Sequence, residues 1–115
     1  MSATPDAAGV PAEDAKLVTL ARSARARTGA AEGAAVRDGM GRTYAGVTVD
    51  LPSLQLSAVQ AVVAAAVSSG ADGLEAAAVV GGAPALTDTD RAVLADLGVA
   101  TVLRAGPDGV LHDGA

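Results

Sequence analysis

Leu56-Ser57-Ala58-Val59-Gln60-Ala61 and Leu86-Thr87-Asp88-Thr89-Asp90-Arg91-Ala92-Val93-Leu94 are the two stretches that decide the fold. In each, an apolar residue is followed by a hydroxyl residue, Ser57 or Thr87, and a second polar side chain comes three positions later. This spacing is typical of a helix N-terminus, where side chains satisfy backbone amides that have no partner inside the helix. Both stretches therefore predict the first turn of a helix.

Apolar periodicity and turn residues predict the remaining elements. Leucine and alanine recur at helical spacing between Ala12 and Gly29, which predicts a first helix, and the two capped helices end near Gly70 and Gly98. Short apolar runs between turns predict five strands, at residues 34–37, 42–49, 74–80, 99–103 and 110–112. Since strands alternate with helices, we expect an α/β fold with three layers, α/β/α.

The chain length and its first residues bound the domain organisation. At 115 residues the chain can bury one hydrophobic core, so we predict a single domain over residues 12–115. Residues 1–11 are rich in Ala, Pro, Gly, Ser and Thr and have no periodicity, which predicts a mobile N-terminal tail. They also lack the basic and apolar regions of a secretion signal.

Charge and composition exclude several classes of protein. The net charge is −5, and the few basic residues are spread along the chain, so a nucleic-acid partner is not expected. The most apolar run, residues 61–67, is too short to cross a bilayer, which takes about 20 residues. We therefore expect no membrane partner and a cytoplasmic location. The sequence has no cysteine, which excludes disulfides and thiolate chemistry.

The core has to be built from small side chains. Half of the residues are hydrophobic, yet Tyr44 is the only aromatic residue. A short chain with such a core gains stability by burying apolar surface against copies of itself, so a homo-oligomer is expected. Coding bias and the high helix propensity of alanine explain the same composition equally well.

The element order and several segments resemble the small cytidine deaminase family over roughly residues 15–112. Gly33-Ala34-Ala35-Val36, followed by Gly41-Arg42-Thr43-Tyr44-Ala45-Gly46, is similar to the hairpin of that family. The resemblance implies a cytidine deaminase-like three-layer α/β/α sandwich with a mixed five-stranded sheet. It also implies that the chain forms a dimer or tetramer with copies of itself. The alternative is an interaction with a different protein.

The resemblance also locates the zinc site of the family. Alignment without a gap places Val59 at a zinc-binding cysteine and Ala61 at the catalytic glutamate. The segment that follows is shorter than in many relatives, so a shifted register would instead place Ser57 at the cysteine and Val59 at the glutamate. In the second motif, Thr87 and Asp90 stand at the other two zinc-binding cysteines.

These replacements remove the chemistry of a zinc deaminase. Such an enzyme needs three nitrogen or sulfur ligands, which lower the pKa of the zinc-bound water, and a glutamate that moves the proton. Valine has no lone pair, a neutral hydroxyl is a poor zinc ligand, and one carboxylate does not make a site. We therefore predict no metal, no cofactor and no catalytic residues.

Substrate contacts of the family are also reduced. The family holds the nucleoside sugar with an Asn-Val-Glu-Asn segment, where this chain has Thr48-Val49-Asp50-Leu51. Thr48 and Asp50 remain the candidate ligand-binding residues. Ala30 stands where the family places a phenylalanine beside the pyrimidine, so that aromatic contact is missing.

Other sites in the sequence are weaker candidates. Asp88, Asp90 and Asp96 would form an Mg²⁺ or Ca²⁺ site only with ligands from other elements, and capping explains the first two more simply. Serine catalysis needs a base within hydrogen-bonding reach, and no spacing pairs a serine with one. His112, the only histidine, lies on the predicted last strand and is expected at the surface.

Three functions remain after these exclusions. The first is a zinc-free, catalytically inactive relative of cytidine deaminase that acts as an oligomeric or protein-interaction module. The second is a protein that binds a nucleoside-like metabolite in the vestigial cleft. The third, an active deaminase, is the least favoured by the residues at the zinc positions.

Overall fold

The computed structural model describes residues 10–83 and 85–112, and within them three helices and seven strands. The helices are α1 (Ala12–Thr28), α2 (Ala58–Ser68) and α3 (Asp88–Asp96). The strands are β1 (Glu32–Asp38), β2 (Thr43–Val47), β3 (Val49–Leu51), β4 (Leu54–Leu56), β5 (Leu74–Gly81), β6 (Thr101–Ala105) and β7 (Leu111–His112). The predicted tail falls mostly on residues 1–9, which lie outside the described residues.

Five strands form one mixed sheet in the order β2-β1-β5-β6-β7. The pairs β1–β2, β1–β5 and β6–β7 are antiparallel, whereas β5 and β6 are parallel and are connected through α3. Helix α1 packs on one face of the sheet, and α2 and α3 pack on the other. The prediction of a three-layer α/β/α fold with a mixed five-stranded sheet is confirmed.

The helix ends follow the capping chemistry that the sequence predicted. The Ser57 side chain accepts a hydrogen bond from the Gln60 backbone N–H, and the Gln60 side chain accepts one from the Ser57 N–H. Thr87 caps α3 by accepting from the Asp90 N–H. Gly29 ends α1 with φ of 71°, a left-handed conformation that glycine adopts without a steric penalty.

Small side chains line both faces of the central strands. Along β5, Ala76, Ala78 and Val80 face α1, whereas Ala77 and Val79 face α2 and α3. A Cβ atom on Gly33 would lie 2.2 Å from the Ala21 carbonyl oxygen of α1, and one on Gly46 would lie 2.9 Å from the Val62 nitrogen of α2. Both helices therefore approach the sheet at distances that larger residues would prevent.

The structure differs from the sequence prediction in one local element and in several strand ends. A two-stranded hairpin, β3 with β4, follows β2, and of its residues only Val49 lay in a predicted strand. Strand β6 begins at Thr101 and runs to Ala105, so it includes Arg104, which lay beyond the predicted strand. Within the described residues, no helix has the length and apolar character to cross a membrane.

Candidate functional site

A cleft of about 550 Å³ lies where the N-termini of α2 and α3 meet the ends of β1 and β5. Its walls come from the turn before β1, the segment after β2, the start of α2 and the loop that leads into α3. The lining residues are Arg25, Ala31, Glu32, Thr48, Ser57, Gly82, Ala83, Ala85, Leu86, Thr87 and Asp90. Both stretches that decide the fold therefore contribute to one cavity.

A short hydrogen bond joins the two helix N-termini inside the cleft. The Ser57 hydroxyl donates to Oδ1 of Asp90 at 2.6 Å. Asp90 is 4% exposed, and Ser57 is half-buried. Because the bond lies in a largely buried position, it is electrostatically stronger than the same bond would be in water.

The hydroxyl side chains of the cleft, from Ser57 and Thr87, also cap the helices. The Ser57 oxygen accepts the Gln60 N–H at 3.0 Å, and the Thr87 oxygen accepts the Asp90 N–H at 3.1 Å. The carboxylates of Asp88 and Asp90 lie in the first turn of α3, where they interact favourably with the helix dipole. The polar groups of the cleft therefore already have partners within the chain.

The residues of the first motif lie in different places in the structure. Ser57 faces the cleft, beside Thr87 and Asp90. Val59 is 1% exposed and lies in the hydrophobic core between the sheet and helices α2 and α3. Ala61, one turn into α2, is partly buried and is not a cleft residue. The structure therefore brings Ser57, Thr87 and Asp90 together, whereas Val59 and Ala61 are not lining residues of the cleft.

The two candidate ligand-binding residues take different places. Thr48 lines the cleft, and its hydroxyl accepts the Glu32 N–H at 3.0 Å. Asp50 lies on β3 and is exposed, and its carboxylate accepts a 3.4 Å hydrogen bond from the Gln55 side chain. The structure therefore brings Thr48 to the cleft, whereas Asp50 is not among the lining residues.

A buried ion pair underlies the cleft, and the sequence analysis missed it. Arg104 on β6 is 0% exposed, and its Nη2 atom lies 3.0 Å from Oε2 of Glu32. The guanidinium also donates to the Ala83 carbonyl oxygen, and its Nη1 atom has no hydrogen-bond partner within the described residues. The signal was available, since an arginine inside an apolar strand needs a buried partner.

Glycine allows this ion pair to form across a strand. Gly81 of β5 pairs with Glu32 of β1. A Cβ atom on Gly81 would lie 2.6 Å from Cγ of Glu32. Arg104 lies on β6, the other neighbour of β5, so the Glu32 side chain passes close to the space that a side chain at position 81 would occupy.

The family zinc ion does not fit the residues at this site. The three converging side chains offer two neutral hydroxyl oxygens, from Ser57 and Thr87, and one carboxylate, from Asp90. Zinc sites in proteins use nitrogen and sulfur donors with at most some carboxylates, and three such donors are the minimum for a catalytic site. In addition, the Ser57 hydroxyl hydrogen already points to Asp90.

The remaining sequence candidates do not assemble into a site. Asp88 and Asp96 lie at opposite ends of α3, both exposed, and the part of the chain that is described contains no group of three His, Cys, Asp or Glu residues placed to hold a metal. His112 is exposed on β7. The sequence paired no serine with a base, whereas in the structure Ser57 contacts Asp90. A serine nucleophile is usually activated by histidine or lysine, so this contact does not indicate serine catalysis.

A second polar cluster lies at the opposite end of β1 from the cleft. Asp38 is buried and accepts hydrogen bonds from the Tyr44 hydroxyl, the Met40 and Arg42 backbone N–H groups and the Arg42 side chain. Burial by itself would raise the pKa of Asp38, but these hydrogen bonds outweigh it and lower the pKa. The same burial, with the hydrogen bond to Asp38, raises the pKa of Tyr44. This cluster fixes the β1–β2 turn.

Comparisons with known proteins agree with the fold. The chain is similar to the cytidine deaminase from Burkholderia pseudomallei, with 26% identity, a TM-score of 0.73 and coverage of 84% of this chain and 87% of that one. The cytidine deaminase from Mycobacterium tuberculosis gives 33% identity, a TM-score of 0.65 and coverage of 77% and 80%. That from Mycobacterium leprae gives 25% identity, a TM-score of 0.64 and coverage of 82% and 87%.

A sequence comparison with curated proteins gave no match. Residues 10–109 match the family described as cytidine deaminase-like, which is most of the chain and includes both helix N-termini of the cleft. The chain belongs to the cytidine deaminase-like family.

Proposed function

We propose that this chain is a zinc-free and catalytically inactive member of its family, and that it acts as a homo-oligomeric module. The observation that carries the proposal is the donor set of the cleft. The positions that converge between α2 and α3 hold Ser57, Thr87 and Asp90, and the two hydroxyls cap helices. The cytoplasmic location expected from the sequence is part of this proposal.

The position that carries the proton shuttle in the family has no ionisable side chain in this chain. In either register the position of the catalytic glutamate of the family holds Val59 or Ala61, and neither side chain ionises. Removal of an exocyclic amine requires a group that gives a proton to the leaving nitrogen. The absence of a glutamate at this position, together with the donor set of the cleft, supports the proposal that the chain is catalytically inactive.

Ammonia release tests the inactivity directly. The purified protein is incubated with cytidine, with and without added zinc, beside the cytidine deaminase from Mycobacterium tuberculosis as a positive control. We expect release at the rate of the buffer blank under both conditions. Zinc-dependent turnover above the blank would contradict the proposal.

The surface of α2 supports oligomerisation. The helix has no charged residue from Ala58 to Ser68, although Ala64, Ala65 and Val67 are exposed. Val67 is 49% exposed. A helix that is apolar on all sides is normally buried, so an exposed one indicates a surface that another protein covers. A second copy of this chain is the occupant that we propose.

Sedimentation velocity tests this part of the proposal. The monomer mass is 11.0 kDa, and we expect a dimer or tetramer at micromolar concentration. Val67→Arg places a charge in the proposed interface and should shift the distribution of sedimentation coefficients to that of the monomer. Leu20→Arg is the matched control, because Leu20 is 37% exposed on α1, at the opposite face of the sheet. A monomeric parent protein, or equal behaviour of the two variants, would refute the interface.

The open cleft favours a second candidate function, the binding of a nucleoside-like metabolite. A cavity of about 550 Å³ is large enough for a small ligand, and Thr48, Ser57 and Thr87 place hydroxyl oxygens along it. The absence of an aromatic wall at Ala30 opposes tight binding of a pyrimidine.

Thermal-shift measurements with nucleosides distinguish the two functions. A ligand at a hundred times its dissociation constant stabilises a protein by about 2.7 kcal/mol, which is a readily measured shift in Tm. Ala31→Trp should abolish any shift in Tm, because Ala31 lines the cleft and is exposed, so that an indole at this position would take up space in the cleft that a ligand needs. No shift with any nucleoside leaves the oligomeric module as the function, and a shift that Ala31→Trp removes establishes the ligand.

A further inference from the structure

We infer that the hydrogen bond from Ser57 to Asp90 replaces a metal ion as the cross-link between the two helix N-termini. In a metal site, one ion would join residues from both stretches and hold the cleft in shape. Here a hydroxyl from the first stretch contacts a carboxylate from the second directly, at 2.6 Å. The residues are separated by 33 positions in the sequence, so the contact joins two distant parts of the chain.

Other contacts also hold the two partners in place. Ser57 is fixed by its reciprocal hydrogen bonds with Gln60, at 2.9 and 3.0 Å. Asp90 is fixed by the cap from Thr87 to its backbone N–H and by burial of its side chain. Because neither side chain has to be ordered further, little conformational entropy is lost when the hydrogen bond forms.

The position of the bond lets it complete the contact between the helices. Leu94 and Val59 already bury apolar surface between α2, α3 and the sheet, below the cleft. The Ser57–Asp90 bond lies above them, at the N-terminal ends of both helices. Loss of this bond should therefore separate the helix ends and open the cleft without removing the core.

A double-mutant cycle measures the strength of the cross-link. The proteins are the parent chain, Ser57→Ala, Asp90→Ala and the double variant, each unfolded with urea. Ser57→Ala also removes a helix cap, but that loss occurs in both arms of the cycle and cancels. We expect a coupling of about tenfold to a hundredfold in the unfolding equilibrium constant, as for hydrogen bonds to charged groups.

A matched cap variant separates the cross-link from simple capping. Thr87→Ala removes the cap of α3 and leaves the Ser57–Asp90 bond in place. The coupling of Thr87→Ala with Ser57→Ala, expressed as a factor in the unfolding equilibrium constant, should be close to one, which means that the two changes act independently. Equal coupling in the two cycles, or a coupling near onefold for Ser57 with Asp90, would overturn the inference.

Introduction of three cysteines at these positions independently tests whether their geometry suits a metal ion. The variant Ser57→Cys/Thr87→Cys/Asp90→Cys should bind one zinc per chain, give a thiolate-to-metal absorption band with cobalt, and gain thermal stability that EDTA removes. The matched variant Val59→Cys/Thr87→Cys/Asp90→Cys should bind no zinc tightly, since Val59 is buried in the core. Equal zinc binding by both variants, or none by the first when it is folded, would contradict the inference.

Failure of this inference and failure of the proposed function give different results. Zinc in the unmodified protein would refute the zinc-free function, whatever the coupling. A coupling near onefold in a zinc-free protein would refute the cross-link alone. If the cysteine variants fail to fold, the two urea cycles still decide the inference.

Discussion

The change Gly33→Ala tests why this fold is built from such small residues. Gly33 lies on β1 directly beneath α1, and an alanine Cβ there would lie 2.2 Å from the Ala21 carbonyl oxygen. The same atom would lie 3.0 Å from Cβ and 3.1 Å from the backbone nitrogen of Arg25. Two of these three neighbours are backbone atoms of a helix, so they cannot rotate away.

The expected magnitude follows from the size of the overlap. A carbon atom normally stays more than 3 Å from a carbonyl oxygen, so α1 would have to move outwards by about 1 Å. That movement loosens the packing of Leu17 and Ala21 on the sheet, both of which are buried. Overpacking of this kind costs about 1 to 3 kcal/mol, and we expect the upper end of this range because backbone is involved.

Urea unfolding followed by circular dichroism measures the effect. Gly39→Ala is the matched control, because no atom lies within 4 Å of an added Cβ there and its φ is not in the left-handed region. That control should be neutral or slightly stabilising, since alanine restricts the unfolded chain. If Gly33→Ala were as stable as Gly39→Ala, close helix packing would not explain the small residues.

Three further predictions concern the ion pair beneath the cleft, the stability of the protein in acid, and the packing of α2 on the sheet. Glu32→Gln removes the carboxylate opposite the buried Arg104 guanidinium, so the unfolding free energy in urea should fall by about 2 kcal/mol; an unchanged value would mean that the ion pair does not contribute. The lowered pKa of Asp38 means that its stabilisation is present above the ordinary aspartate pKa, about 3.9, and is lost as the pH falls through the lower folded value. In Asp38→Asn the decrease of Tm below about pH 4 should therefore be shallower than in the parent, and parallel acid profiles would count against this cause. Gly46→Ala should destabilise less than Gly33→Ala, since its closest contact is 2.9 Å rather than 2.2 Å, and the reverse order would contradict the overlap argument.

Local chemistry made much of the fold predictable from the sequence. Ser57 and Thr87 marked helix starts because capping needs only neighbouring residues, and the structure has both caps. The strands of the central sheet followed from apolar runs between turns. The hairpin formed by β3 and β4 was missed because each of its strands has only three residues, which is too short for an alternating pattern to be recognised.

The candidate site was less predictable, because its contacts join distant parts of the chain. The Ser57–Asp90 bond and the Arg104–Glu32 ion pair span 33 and 72 positions in the sequence, and neither has a local signature. The burial of Val59 also needed the structure, since only three-dimensional placement tells a cleft residue from a core residue. The sequence named Ser57, Thr87 and Asp90 as single candidates, but it did not predict the contacts among them.

Zinc content tests the central claim of this account most directly. The protein is expressed in zinc-supplemented medium, purified without chelators and measured by plasma mass spectrometry against its concentration. Since Ser57, Thr87 and Asp90 offer one carboxylate and two hydroxyls, we expect far less than one zinc per chain. One zinc per chain that remains after dialysis would contradict the claim.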